Sequence, residues 1–221
     1  RQNKTQPKMC ISDRQQQGGT STTRNVIISG AGPAGLLLSS LLLKHNKEST
    51  NGIKYNVTLI ESRLAIGELD VKTELPKYRS WMIGLAGHGL NALRTIPELY
   101  NEYVQQDHVG VKINSFSIYL GSYKMENKID EADAQKAKAE NPDNEAYIVD
   151  RNFVVAAMAR FLKDQHSNDP HYEERYETKL MYVDSENHRV LVRKNDDNKE
   201  EYLDYDLLVG ADGARSIVRE S

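Results

Sequence analysis

The stretch that decides the fold is Val26–Leu43, "VIISGAGPAGLLLSSLLL". Its apolar, branched start predicts a buried strand, and its Leu-rich second half predicts a helix. The segment Lys54–Arg63, "KYNVTLIESR", predicts a second strand that ends at Glu61. A strand, a glycine turn, a helix and a strand form a βαβ unit, which implies a parallel sheet with a right-handed crossover.

The turn between the first strand and the helix has glycines at the positions of a dinucleotide-binding motif. Gly30, Gly32 and Gly35 fit the pattern G-x-G-x-x-G. The first glycine permits a tight turn, the second lets a pyrophosphate approach the backbone, and the third lets the helix pack against the strand. Backbone N–H groups at the helix N-terminus stabilise the phosphate charge. We therefore predict contacts with a dinucleotide along the whole turn, which comprises Gly30, Ala31, Gly32, Pro33, Ala34 and Gly35.

An acidic residue at the end of the second strand completes this pattern. Glu61 lies 26 positions after Gly35, somewhat more than the usual spacing of about 20 residues, and a polar loop before the strand accounts for the difference. Its carboxylate can accept hydrogen bonds from the ribose hydroxyls of an adenosine and would repel a 2′-phosphate. The turn and Glu61 therefore predict FAD or NAD rather than NADP, and we include the adjacent Ser62 and Arg63 in this site.

A second motif favours FAD. The segment Asp206–Arg219, "DLLVGADGARSIVR", resembles the Asp-Gly motif of the single-component FAD-dependent aromatic monooxygenases. In that family the motif lies beside the dinucleotide and is linked to binding of both FAD and the nicotinamide cofactor, which implies such a role for Asp212 and Gly213. The resemblance implies an α/β fold, namely a Rossmann-like FAD/NAD(P)-binding fold with a βαβ unit, a parallel sheet and an added β-meander, in a fragment that lacks most of the substrate domain.

Two segments between these motifs extend the resemblance. Tyr78–Arg94, "YRSWMIGLAGHGLNALR", resembles a family segment that places an Arg near the flavin or its pyrophosphate, which implies this role for Arg79. Asp150–Leu162, "DRNFVVAAMARFL", resembles the segment in which an Arg just before a helix contacts the dinucleotide, which implies this role for Arg151. From the residues themselves we predict a helix here, capped by Asp150.

The order of these segments is most similar to that of the kynurenine 3-monooxygenase branch. In that branch an Arg holds the carboxylate of the substrate; here Asn114 stands at that position, with Lys112 nearby. The resemblance implies that NADPH or NADH reduces FAD, and that the reduced flavin and O2 hydroxylate a small aromatic substrate, with kynurenine-like compounds among the candidates. We nominate no catalytic acid or base, because the flavin carries the chemistry.

Three other functions remain open at the level of sequence. Another FAD-dependent oxidoreductase, such as an isoprenoid reductase or epoxidase, would share both motifs. An NAD dehydrogenase would share only the βαβ unit and would bind NADH without flavin absorbance. A non-catalytic FAD-binding fragment would bind the flavin without turnover.

Composition and charge limit the remaining classes. The formal net charge of −3 and the scattered Lys and Arg residues argue against nucleic-acid binding. The single cysteine, Cys10, excludes a disulfide framework and fits a reducing compartment, either cytoplasmic or organellar. The histidines lack metal-ligand spacing, so we predict no metal site, and no apolar run is long enough to span a membrane. The oligomeric state is not indicated.

The chain is expected to contain one domain with two irregular parts. Residues 1–24 are polar and aperiodic, which predicts a disordered leader. Residues 25–221 are assigned to the N-terminal part of an FAD-binding domain, truncated at its C-terminal end. Within it, residues 126–146 are charged and Ala-rich, and we interpret them as an exposed, partly helical insert.

Overall fold

The computed structural model describes residues 22–50, 52–78, 80–105, 110–113, 115–128, 145–196 and 198–221. In chain order, the strands are β1 (Thr22–Ser29), β2 (Ile53–Ile60), β3 (Met82–Ala86), β4 (Gly110–Lys112), β5 (Ser115–Leu120), β6 (Tyr123–Lys128), β7 (Ala146–Asp150), β8 (Tyr172–Arg175), β9 (Thr178–Asp184), β10 (Arg189–Lys194), β11 (Glu200–Asp204) and β12 (Leu207–Gly210). The α-helices are α1 (Pro33–Glu48), α2 (Gly87–Arg94), α3 (Arg151–His166) and α4 (Ile217–Glu220). Within the described ranges, no helix has the length and hydrophobicity needed to cross a bilayer.

A parallel sheet with the strand order β12–β1–β2–β8 organises the domain. Helix α1 connects β1 to β2, and the two strands are paired in parallel along their whole length. This arrangement confirms the predicted βαβ unit and the α/β fold class. Because Ser29 pairs with Ile60 on one side and with Gly210 on the other, the carboxyl ends of three parallel strands meet at one edge of the sheet.

The described residues also form three smaller antiparallel sheets. Strand β7 lies between β3 and β4, strands β5 and β6 form a hairpin, and β9, β10 and β11 form a meander. The segment "KLMYVDSENHRVLVRK" has two apolar-rich runs around the turn "DSEN", and these runs form β9 and β10. The meander covers one face of the parallel sheet, while α1 and α3 cover the other.

The core follows from the alternation of side chains along β1. Val26 and Ile28 point to the face that packs against α1 and α3, whereas Ile27 points to the meander together with Ile60. All four side chains are at most 2 % exposed. A strand that is apolar on both faces is expected for a parallel sheet covered on both sides, which explains why the run "VIIS" contains no alternating polar residues.

Several predicted boundaries are corrected by the structure. The last residues assigned to the leader, Thr22–Arg24, form the start of β1 because they pair in parallel with the start of β2; the rest of the leader lies outside the described residues. The ends of the proposed insert are also strand: residues 126–128 belong to β6, and Ala146 begins β7. The middle of that insert, residues 129–144, lies outside the described residues.

Other elements were predicted with the wrong length or were missed. The alternation in "VKINSFSIYLG" predicts one strand, but residues 111–112 end β4 and Ser115–Leu120 form the separate strand β5. Strand β8 was not predicted, because its sequence "YEER" is short and charged and lies at the edge of the parallel sheet. The predicted helix after Asp150 is confirmed as α3.

The N-cap of α3 provides a first test of the fold. The Asp150 carboxylate accepts a hydrogen bond from the backbone N–H of Asn152 at 2.8 Å. We expect Asp150→Ala to lower the free energy of unfolding by about 1 kcal/mol, because the N–H loses its shorter hydrogen bond and keeps only the one to Oγ of Ser80 at 3.2 Å. Asp150→Asn, which keeps an oxygen at this position, should lose much less. Urea unfolding of both variants measures the difference, and equal losses would contradict the capping role.

The buried histidine at the end of α3 provides a second test. His166 is 3 % exposed, and burial lowers its pKa, although the nearby carboxylate of Asp169 opposes this effect. Because the unfolded chain then binds a proton at higher pH than the folded one, the stabilisation is complete above the unfolded pKa of about 6.5 and is lost as pH falls below it.

We therefore expect the free energy of unfolding to fall by up to about 1 kcal/mol between pH 7.5 and 5.5 because of this side chain alone. His166→Gln should reduce that decrease, since glutamine does not titrate. Urea unfolding of both proteins at the two pH values gives the comparison. An identical pH dependence in the variant would show that His166 is not the group responsible.

Candidate dinucleotide-binding site

The glycine turn lies at the carboxyl end of β1, and two of its glycines are required by the fold. Gly30 has φ of +105°, and a Cβ there would overlap the backbone of Ala211. Gly35 lies in the first turn of α1, where a Cβ would overlap the carbonyl oxygen of Gly30. The structure thus explains these two glycines by close packing of the turn against β12 and of α1 against the turn.

Gly32 differs from the other two glycines of the motif. Its backbone is extended, with φ of −81° and ψ of 179°, which any residue can adopt. A Cβ at Gly32 would lie 3.8 Å from Nη2 of Arg151 and 3.9 Å from the carbonyl oxygen of Ala211, which is ordinary contact distance. The folded chain itself therefore does not require glycine at position 32.

The N-terminus of α1 has the features of an anion-binding site. Gly32 is its N-cap residue and provides no side-chain hydrogen bond, and Pro33 occupies the first turn without an N–H group to satisfy. The early N–H groups of a helix have no partners within the helix. Those of Ala34 and Gly35, together with the helix dipole, favour a negatively charged group at this end.

Glu61 lies directly after β2 and joins the glycine turn to the next loop. Its carboxylate accepts hydrogen bonds from the N–H of Ala31 at 3.0 Å, from the N–H and Nε of Arg63, both at 3.0 Å, and from Oγ of Ser62 at 3.3 Å. Burial alone would raise the pKa of Glu61, but the hydrogen bonds from Arg63 and Ala31 outweigh it, so its pKa lies below the ordinary value. The group is therefore a carboxylate at neutral pH.

This network affects the interpretation of Glu61. Glu61 is 7 % exposed. Its carboxylate already holds the turn in place, a role that the sequence did not indicate. The guanidinium of Arg63 neutralises part of the charge from which we inferred repulsion of a 2′-phosphate. A contact between Glu61 and ribose hydroxyls remains a prediction.

The second motif lies beside the first. Ala211 donates its N–H to the carbonyl of Ser29 at 2.7 Å, which continues the β1–β12 ladder to the turn. One carboxylate oxygen of Asp212, Oδ2, accepts a hydrogen bond from the N–H of Ile217 at 3.1 Å. The other, Oδ1, is buried and has no hydrogen-bond partner within the described part of the chain. A buried polar atom without a hydrogen bond is rare in native proteins, because it loses its hydration without compensation.

Arg151, on helix α3, extends its side chain toward the glycine turn. It is the first residue of α3, directly after the Asp150 cap, and its Nη2 approaches the open side of Gly32. Its side chain forms no ion pair or hydrogen bond with another described residue. The prediction for Arg79 cannot be compared in this way, because Arg79 lies outside the described residues.

These residues line a cleft of about 350 Å³, which we call the dinucleotide cleft. The predicted residues that line it are Gly30, Gly32, Glu61, Ser62, Arg63, Arg151, Asp212 and Gly213. A neighbouring cavity of about 430 Å³ shares four of them and adds Ala31. Pro33, Ala34 and Gly35 line neither cavity. Lys179 and Arg215 also line the dinucleotide cleft; sequence reasoning missed them because neither belongs to the glycine pattern.

The position of the cleft agrees with a general rule for open α/β sheets. Ligands bind at the carboxyl ends of parallel strands, where the connections leave in opposite directions. Strand β1 has β2 on one side and β12 on the other, and the residues that follow these three strands form the cleft wall. The two sequence motifs, which lie far apart in the chain, therefore meet in one site.

Comparison with solved structures supports the fold. The chain is similar to the flavin-dependent monooxygenase PieE, solved with FAD and substrate (TM-score 0.63, 13 % identity, covering 91 % of this chain and 32 % of that one). It is also similar to the p-nitrophenol 4-monooxygenase PnpA from Pseudomonas putida DLL-E4, with a TM-score of 0.61 and 19 % identity over 90 % of this chain and 42 % of that one. A third match is the flavin-dependent halogenase CmlS, with a TM-score of 0.60 and 18 % identity over 90 % of this chain and 31 % of that one.

These similarities establish a fold rather than a reaction. The chain has the fold found in flavin-dependent monooxygenases and a halogenase, and it spans less than half the length of each of these proteins. No protein-family model and no curated protein sequence matches this chain.

Proposed function

We propose that this chain is the FAD-binding part of a single-component, FAD-dependent monooxygenase that uses NADPH or NADH and O2 to hydroxylate a small aromatic substrate. The observation that carries the proposal is the convergence of the glycine turn, Arg151 and the Asp212–Gly213 turn on one cleft. The fold shared with flavin-dependent enzymes supports FAD as the dinucleotide.

The residues of the cleft fit FAD in three respects. Because Gly32 has no Cβ, it leaves space for a phosphate beside the turn, although the fold itself does not require glycine there. Arg151 supplies a cation whose side chain has no hydrogen-bond or ion-pair partner among the residues that the structure describes, and the N-terminus of α1 adds N–H groups. Oδ1 of Asp212 is an unsatisfied acceptor within the cleft wall, which a ligand hydroxyl would satisfy. In the proposed complex the turn and Arg151 hold the pyrophosphate, and Glu61 holds the ribose.

The bound FAD would supply the redox chemistry and the activation of O2. The residues of this chain contribute binding and orientation. The N–H groups of α1 and the guanidinium of Arg151 neutralise phosphate charge, while the Glu61–Arg63 pair fixes the turn through the N–H of Ala31. We assign no proton transfer to these residues.

Two finer parts of the proposal concern the domain and the substrate. We propose that the chain from Thr22, the first residue of β1, to Ser221 belongs to one FAD-binding domain and that an insert separates β6 from β7. Kynurenine-like amino acids belong among the substrates to test, because of the segment order described above. Lys112 is ion-paired with Glu145 at 3.4 Å, so its ammonium group would have to be shared with any substrate carboxylate.

The proposal is tested in two steps. The purified 221-residue chain should bind FAD, measured as quenching of flavin fluorescence, and NADH binding without any FAD binding would indicate an NAD dehydrogenase instead. The native protein purified from its source should then oxidise NADPH or NADH faster when a small aromatic substrate is added, with formation of the hydroxylated product. Stimulation only by an isoprenoid, or bound flavin without any turnover, would overturn the monooxygenase assignment.

A further inference from the structure

Two cations on the wall of the dinucleotide cleft have no polar partner among the residues that the structure describes. Lys179 is the second residue of β9, and Arg215 ends the short 3₁₀ turn Gly213–Arg215 after β12. Both side chains are exposed and line the cleft. Neither forms an ion pair or a hydrogen bond with another described residue. Their charges are therefore available to a ligand.

The charge balance of the cleft is positive. Its lining contains the cations Arg63, Arg151, Lys179 and Arg215, and the anions Glu61 and Asp212. Arg63 pairs with Glu61 at 3.0 Å, so this pair contributes little net charge. The three other cations face one carboxylate. Such a lining attracts a ligand with two or more negative charges and repels a cation.

The surroundings of Lys179 indicate that its charge does not serve folding. In the meander, Lys179 lies directly opposite Arg193 on β10. Like charges at opposite positions of an antiparallel pair are destabilising. The carboxylate of Glu200 lies 3.9 Å from Arg193, which is a long ion-pair distance. Within the described part of the meander, a cation at position 179 thus gains no stabilising partner, whereas it adds to the positive charge of the cleft.

We infer that Lys179 and Arg215 bind a phosphate group of the dinucleotide on the β9 side of the cleft. The identity of the ligand as a dinucleotide rests on the proposed function. The availability of the two cations in the cleft does not depend on it. The shared chemistry is a phosphate ester, which either FAD or the nicotinamide co-substrate NADPH brings. The two residues therefore add an anion site to the one formed by the glycine turn and Arg151.

The test uses a charge-neutral double variant of the whole 221-residue chain. Lys179→Gln with Arg215→Gln should weaken binding of the phosphate-bearing ligand by about tenfold, as expected for two exposed charge-assisted contacts. The dependence of log Kd on log salt concentration should become shallower. Lys72→Gln with Lys77→Gln is the matched control, because it removes the same charge from exposed positions outside the cleft.

Three ligands distinguish the possible sources of the phosphate. FAD and NADPH are titrated separately, and riboflavin, which has no phosphate, is the reference. A tenfold loss for FAD or for NADPH, with riboflavin and the control variant unchanged, supports the inference and identifies the source. Unchanged affinity of the double variant for both phosphate ligands overturns it, even if FAD binds well. If FAD does not bind the wild-type chain but NADPH binding depends on both cations, the proposed function fails and the anion site stands.

Discussion

Replacing Gly35 by alanine is expected to lower the free energy of unfolding by about 3 kcal/mol or more, the upper part of the range for overpacking. A Cβ at this position would overlap the carbonyl oxygen of Gly30 and would lie 3.3 Å from Cγ2 of Ile28. The obstacle is backbone rather than a flexible side chain, so relief requires α1 to move away from β1. Urea unfolding followed by circular dichroism measures the loss.

Gly32→Ala is the matched control for this prediction. It makes the same chemical change three residues earlier, where the nearest atoms lie 3.8 Å away. The control should therefore change the free energy of unfolding by less than about 1 kcal/mol. Equal losses in the two variants would mean that the turn adapts at position 35, and that the close packing of α1 against the turn does not determine its stability.

The same Gly32→Ala substitution is expected to weaken FAD binding by at least about tenfold, because one misplaced methyl group can block a phosphate from the N–H groups of the turn. The added Cβ would point between Nη2 of Arg151 and the carbonyl oxygen of Ala211. This is the region that we assign to the pyrophosphate. Fluorescence titration with FAD gives the affinity, and unfolding curves verify that the variant is folded.

Gly84→Ala serves as the control for binding. Gly84 lies in β3, away from the dinucleotide cleft, and a Cβ there would meet no atom within 4 Å. Its affinity for FAD should equal that of the wild-type chain. If Gly32→Ala binds FAD as tightly as Gly84→Ala does, the pyrophosphate does not approach the second glycine, and the space beside the turn has been assigned to the wrong group.

The central part of the fold could be predicted because several local signals agree. The apolar run before Gly30, the Leu-rich helix after it and the strand before Glu61 each have one reasonable interpretation, and together they require parallel pairing. The register then places Asp212 beside the glycine turn. The structure of such a segment can be predicted from sequence because its local pattern agrees with the global topology.

Features that depend on distant partners could not be predicted. The pairing of Glu61 with Arg63 and Ala31 requires the geometry of two turns that lie about 30 residues apart. Strand β8 has charged residues at its centre because it lies at a sheet edge, so its sequence resembles a loop. Lys179 and Arg215 occupy ordinary exposed positions, and only the packing of the meander beside β12 brings them to the cleft.

The central claim is that FAD binds in the cleft at the carboxyl ends of β1, β2 and β12. Hydrogen–deuterium exchange of the 221-residue chain, with and without saturating FAD, tests this claim most directly. The account predicts slower exchange in the glycine turn and first turn of α1 (residues 31–36), around residues 61–63 and around residues 211–213. Protection confined to other segments, or none at saturating FAD, would contradict it.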